Sequence, residues 1–241
     1  MDIKNKLYKP YRVIVKVLAK IFSYIFYVIY LFYWEKPAHP NKILYLKPER
    51  ITKSIEGRKI NLSRRGELCG IIKNGQWDKE AKEMTRKKAF VILYRTMQNV
   101  LLNGKPIKET ELYEKFYKRC KTENDIAKLN KKMEYLEKKY IKLKNDIEND
   151  GFKFPKSVFD DIEYFHVSIS SNGEFLFMTG NHRLAIAHLL SPKIKLPVRV
   201  SHRHADWQRY RDKLYLEYKN GKTTKEEIQQ IGHPDLEDIY E

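Results

Sequence analysis

From Ile21 to Trp34 the chain reads IFSYIFYVIYLFYW, without a charge, in a protein whose formal net charge is +17. Such a run has to leave water, and it has three ways to do so: as a buried core helix, across a bilayer, or along a bilayer's interface. Crossing takes about 20 apolar residues. The uncharged stretch is shorter than that, and extending it back to Val13 takes in Lys16 and Lys20. Lysines near a helix end can reach back to the headgroups, and Tyr and Trp suit the interface. Lys9, Arg12, Lys16 and Lys20 recur at helical spacing, and Tyr24, Tyr27 and Trp34 continue their stripe. That is the pattern of an amphipathic helix with a basic face toward acidic lipid. No small-residue cleavage site follows, so the segment does not read as a cleaved signal peptide. The expectation is a membrane-anchor helix over residues 1–36, ended by Pro37 and Pro40, and a globular part over 37–241. A spanning helix would put the globular part outside, because its basic flank stays cytoplasmic. A one-sided anchor leaves it in the cytoplasm, which is the preferred localisation.

The 241 residues are 42% hydrophobic and 33% charged, enough for a packed domain and unlike a disordered chain. The positive charge favours anionic partners: nucleic acid, an acidic membrane or phosphorylated ligands. Cys69 and Cys120 lie far apart and form no CxxC pair, so neither a disulfide scaffold nor a zinc ribbon is indicated.

Along the globular part, Lys42 to Leu46 reads as a strand stopped by Pro48, with Glu49 on the loop beyond. A short strand pair is expected between Arg58 and Gly75, turning at Gly66 and Gly70. An exposed Trp77 follows on a turn, and Asp78 is placed to cap a helix from Lys79 to Leu102. That helix carries Phe90, Leu93, Tyr94 and Met97 on one face. Residues Glu109 to Asn149 read as helical and highly charged. Their stripe of Met133, Leu136, Tyr140 and Leu143 suits a core or a coiled-coil partner. The last third alternates clearly: a strand at Phe165 to Ile169, a Ser171-Asn172-Gly173 turn, and a return strand from Glu174 to Met178. A helix from Asn181 to Leu190 comes next, then a strand from Pro197 to Ser201. His202, Arg203, His204 and Asp206 stand at that strand's end, before another helix bearing Trp207, expected to stack on Arg211. Thr223 with Glu226, or Thr224 with Glu227, offers a capping box for a final helix.

The junction at Thr179, Gly180, Asn181, His182 and Arg183 carries the clearest chemistry. A strand runs into a glycine and a helix starts at once. The first amides of a helix lack intrahelical acceptors and sit at the positive end of its dipole, which favours anions. Arg183 in the first turn adds a planar fork suited to phosphate. A tight turn with Arg183 on a surface carboxylate would give the same pattern.

With the strand, GNHR turn and helix of Met178 to Leu190, and the strand from Leu196 to Val200, the C-terminal half resembles the ParB/sulfiredoxin superfamily. Lys42 to Ile51 looks like that family's opening strand and proline loop, and Lys142 to Phe152 like the helix before its hairpin. The resemblance implies an α+β fold: a small mixed sheet with helices, here with a long charged helical insertion at about 79–150 and an N-terminal hydrophobic helix. It also implies that the GxxR turn binds nucleotide phosphates. Gly180, Asn181 and Arg183 take the phosphate-binding positions, and His182 matches a histidine beside that arginine. Glu49 lies where some kinase-like members keep a catalytic glutamate, so Glu49 and His182 are the catalytic candidates. The reductase branch needs a cysteine inside the turn, where this chain has Asn181. The partition branch needs a helix-turn-helix after the domain, and the tail from Lys219 to Glu241 is too short for one.

The implied cofactor is ATP, ADP or CTP, with Mg2+ as a candidate metal ion. Arg203 is a second phosphate candidate. Trp77, Asp78, His202 and His204 are pocket candidates. The two histidines of the HxH share one side of an extended chain, an arrangement that also suits a metal with Asp206. Two readings result: a membrane-associated phosphotransferase or nucleotide hydrolase, and a non-catalytic scaffold holding nucleic acid or lipid headgroups. A nuclease is a variant of the second, disfavoured because no carboxylate cluster of two-metal type accompanies the turn.

Overall fold

A computed structural model describes residues 3–55, 68–153 and 165–241. The chain is mixed α+β, with a mixed sheet and an N-terminal apolar helix. The helix, α1 (Ile3–Tyr33), is followed by β1 (Ile43–Leu46), a 3-10 turn at Pro48–Arg50 and β2 (Lys53–Ser54). The expected strand pair between Arg58 and Gly75 falls largely on residues outside those described. Its last part forms β3 (Ile71–Lys73), which pairs in parallel with a distant strand. After β4 (Lys82–Glu83) come α2 (Lys88–Leu101), α3 (Glu111–Tyr117) and α4 (Glu123–Asp150). The remainder is β5 (Phe165–Ile169), β6 (Phe175–Thr179), α5 (Asn181–Leu190), β7 (Leu196–His204), α6 (Ala205–Lys219), α7 (Lys225–Gln230) and a 3-10 tail at Pro234–Ile239.

Among the described residues the strands form one sheet in the order β1-β7-β5-β6-β2-β4, with β3 also on β7. β7 is nine residues long and nearly all buried, so three strands can share it. β5 runs parallel along one side. On the other side β1 pairs antiparallel with its first half and β3 parallel with its last three residues. The β5–β6 hairpin turns at Gly173, whose φ of 85° explains the glycine.

The core lies between the sheet and the helices α2 to α5. Phe165, Val167, Phe177, Val198 and Val200 meet Leu184 and Ile186 of α5, Phe90 and Met97 of α2, and Met133 and Tyr140 of α4. The apolar stripe of α4 is therefore filled by its own domain, and no coiled-coil partner is needed. The charged stretch expected to be helical is built of two helices, α3 and α4. Thr122 accepts from the Asp125 amide while the Asp125 carboxylate accepts from the Thr122 amide, so a capping box starts α4 afresh. α2 begins nine residues later than expected. Asp78 does not cap it; its carboxylate is taken by Ser171, and residues Trp77–Glu80 form a 3-10 turn. Trp77 itself is 8% exposed, packed with Ile55 and Leu176 on the sheet's second face.

Candidate functional site

At the end of β6, Gly180 takes φ 103° and ψ 35° and becomes the N-cap of α5. A Cβ there would lie 3.0 Å from the Phe165 ring, so both backbone angle and space demand glycine. The Leu184 amide donates to the Gly180 carbonyl at 2.9 Å, closing the first turn. No side chain caps the helix, so the amides of Asn181, His182 and Arg183 have no intrahelical acceptor. Arg183 folds back over this turn. Its Nη2 lies 3.7 Å from the place a Gly180 Cβ would take, and its guanidinium lies 6.0 Å from the Phe165 ring centroid. The Asn181 carboxamide oxygen is buried without a hydrogen-bond partner among the described residues.

α4 brings two further groups to this turn. The Tyr140 ring stands edge-on to His182 at 5.4 Å, and the protein packed around His182, with Lys139 beside it, lowers the imidazole's pKa. His182 keeps an exposed edge and is neutral at pH 7, fit to accept a proton or to donate one hydrogen bond to an anion. Burial pushes the Tyr140 phenol up to about 12, so it stays protonated. Sequence reading placed Tyr140 in the apolar stripe and Lys139 on a solvated face. Only the packing of α4 over α5 puts them at the GNHR turn, and no local pattern announces that.

Glu49 does not join them. It is exposed on the 3-10 turn and faces His188, whose pKa burial lowers while Glu49 raises it in part. His188 lies six residues along α5 from His182, about 9 Å. The general-base role expected of Glu49 is not carried by this placement.

Arg203 is also elsewhere. It is 1% exposed and committed to Asp235: Nε donates to Oδ2 at 3.0 Å and Nη2 to Oδ1 at 2.6 Å. Arg211, equally buried, reaches Asp235 at 3.3 Å and Asp238 at 2.9 Å. Lys42 of the β1 approach holds Asp238 at 2.6 Å, and the Trp207 indole donates to Asp235 at 3.0 Å. Burial alone would raise the Asp235 pKa, but the two guanidiniums hold it well below the usual carboxylate range. Trp207 therefore does not stack on Arg211 as expected; it packs on His233, with 4.4 Å between ring centroids. The acidic tail that completes this network was missed in the sequence because Asp235 and Asp238 look like ordinary surface charges.

The HxH pair does share one face, but as structure. A register shift on β7 pairs Val200 with Val167 and His202 with Ser168, which turns His202 and His204 toward the second face and leaves Arg203 on the core side. β7 thus runs on through His204, past the expected end at Ser201. The His204 Nε2 lies 2.6 Å from the Gly75 carbonyl, and its Nδ1 accepts from the Asp206 amide at 3.1 Å, capping α6. His202 is 2% exposed, with neither ring nitrogen hydrogen-bonded among the described residues. Burial, then Lys73, pushes its pKa down to about 4. Trp77 lies 5.7 Å from the His204 ring, and Asp78 holds the hairpin through Ser171. Trp77, Asp78 and His204 tie the Trp77–Glu80 turn to the sheet, and with His202 they lie apart from the GNHR turn. Among the described residues, no group of three or more His, Cys, Asp or Glu side chains converges as a metal site.

No family model, curated protein or solved structure matches the chain.

Proposed function

We propose that this chain is a membrane-associated, ParB/sulfiredoxin-like protein that binds a nucleotide by its phosphates at the GNHR turn and acts as a phosphotransferase or nucleotide hydrolase. The observation that carries the reading is the convergence at one uncapped helix start. The helix-start amides of Asn181 to Arg183, which have no intrahelical acceptor, the back-folded Arg183 guanidinium and the neutral His182 meet at the same turn, with the Lys139 charge acting on His182. These groups suit a phosphate: amides and a fork to position it, an ammonium to balance it, and an imidazole to move a proton. ATP, ADP and CTP are the candidate nucleotides, with Mg2+ as their usual counterion. The competing reading, a polyanion-binding scaffold, draws on the net charge of +17.

Titration of the full chain in lipid nanodiscs with ATP, ADP, CTP and GTP, with and without Mg2+, separates the two. Charge-assisted hydrogen bonds are worth about 1.5–3 kcal/mol, so Arg183→Ala should weaken binding by roughly 10- to 150-fold. Saturable binding of one nucleotide, lost in that variant while its melting temperature holds, supports the proposal. Binding that is absent for all four, or that an RNA oligomer matches and salt abolishes, sinks it in favour of the scaffold.

A further inference from the structure

α1 is long and apolar enough to cross a bilayer, over the 21 residues Val13–Tyr33, yet it is tied to the domain from Ala19 onward. Ala19 and Phe26 pack with Leu68 and Ile71. The Ser23 hydroxyl donates to the Ala19 carbonyl and accepts from the Cys69 amide at 3.0 Å. The Tyr30 hydroxyl accepts from the Ile72 amide at 3.1 Å and donates to the Ile72 carbonyl at 3.2 Å. Tyr30 so fills the edge of β3 opposite β7, where an unpaired strand would otherwise face solvent. Tyr24 accepts from the Asn41 carboxamide, and Tyr24 and Tyr27 both meet the His39 ring edge-on. Beyond the helix, the amides of Glu35 and Lys36 donate to Asp212. The join is stitched on both sides and fixes the helix axis against the sheet.

The other side of α1 is bare. Ile14, Leu18, Ile21, Ile25, Val28 and Phe32 are between 47% and 83% exposed. At about 100° per residue they fall within about 40° of one line, and Ala19, Ser23, Phe26 and Tyr30 lie about 120–180° around from it. The bare stripe is about 27 Å long. From Ala19 to Tyr30 the docked stretch covers about 17 Å, more than half of a hydrocarbon core of about 30 Å. Were α1 to span, β3 and the His39–Asn41 turn would be drawn into hydrocarbon with Lys73 and Asn41, where such groups are costly.

We infer that α1 lies in the plane of an anionic bilayer, its Ile14-to-Phe32 stripe in the acyl boundary and its Ser23–Tyr30 face on β3, so that the whole domain sits on one leaflet. This rests on the membrane part of the proposed function and not on the nucleotide part. Charge selects the lipid: the chain carries +17, and Lys20 is exposed about 120° around from the stripe, where its stem can carry the ammonium to the headgroups.

The test is depth. Full-length chain with Leu18→Cys, Ile25→Cys or Phe32→Cys, in a Cys120→Ser background with Cys69 left in place (3% exposed), takes a fluorescent label. Quenching is then read with lipids brominated at set acyl positions in phosphatidylcholine–phosphatidylglycerol vesicles. The expected result is one shallow depth for all three sites. Depths stepping by about 10 Å from site to site would mean a spanning helix and overturn the in-plane geometry while leaving membrane attachment standing. No quenching at any site would overturn both. Flotation should fall at least tenfold without phosphatidylglycerol, and equal flotation would overturn the anionic choice. Ile21→Glu with Ile25→Glu should abolish flotation with the melting temperature unchanged, since neither side chain faces the domain; undiminished flotation would overturn the stripe as the contact surface. None of these outcomes depends on nucleotide binding.

Discussion

Replacing Asp235 by asparagine removes one negative charge from between two guanidiniums buried away from solvent. Asp235 is 0% exposed, and Arg203 and Arg211 are 1% and 0% exposed. Asp235 receives the Arg203 fork, the Trp207 indole and the nearer nitrogen of Arg211. Arg211 keeps Asp238 in the variant, but Arg203 keeps only a neutral amide. Breaking a buried pair in this way costs about 3–5 kcal/mol, because an uncompensated charge stays behind. For a chain of this size about 2 °C of melting temperature goes with each kcal/mol, so the full chain should melt about 6–10 °C lower at pH 7. Exchanging both partners, Arg203→Met with Asp235→Leu, should recover more than half of that loss. The sign with pH is also fixed. The Asp235 pKa is lower folded than unfolded, so its contribution is complete above the unfolded value of about 4 and declines as pH falls below it. The gap between parent and Asp235→Asn should hold from pH 7 to about pH 4 and narrow beneath. A variant melting within 2 °C of the parent, or a gap that persists unchanged at about pH 3, would refute the argument.

Gly180→Ala should lose about 1–3 kcal/mol in a urea titration, since φ is 103° and the new Cβ meets Phe165 at 3.0 Å. Adding Phe165→Leu should return only the steric share, and a fully stable Gly180→Ala would contradict the left-handed turn. His202 makes the opposite case, as an imidazole whose removal helps. His202→Leu should match or exceed the parent by about 1 kcal/mol at pH 7, because no hydrogen bond is lost. The imidazole's pKa is about 4 folded against about 6.5 unfolded, so stability is full above pH 6.5 and drains as pH falls toward 4. The variant should therefore escape about 2–3 kcal/mol of the parent's loss at pH 4.5, and identical acid profiles would disprove the burial of a neutral ring.

The run from β5 to β7 was legible because its signals are local. Alternation in Phe165 to Ile169, the Asn172-Gly173 turn and Gly180 before a helix all act within a few residues. What lay hidden depends on partners distant in sequence. His202, Arg203 and His204 look like a polar loop, yet they prolong β7 because β3 and β5 supply backbone partners on both sides. Trp77, flanked by Gly75, Gln76 and Asp78, reads as exposed, and the sheet's second face covers it. Charge in the sequence gives no sign that Arg203 meets a carboxylate 32 residues on. At the GNHR turn the glycine and arginine were readable, whereas Lys139 and Tyr140 reach it only through the packing of α4. The amphipathic character of α1 was visible too. Which side docks was not, since Ser23 and Tyr30 make bonds that only the edge of β3 can define.

The buried charge network also sets an order of events during synthesis. Arg203 emerges 32 residues before Asp235. At roughly 5–20 residues per second, the sheet's longest strand waits about 2–6 s for the carboxylate that makes its burial tolerable. Until then β7 has reason to stay open, and β3, which pairs with it, offers no settled edge for α1 to seal. The 3-10 segment at Pro234–Ile239 thus acts as a latch on β7.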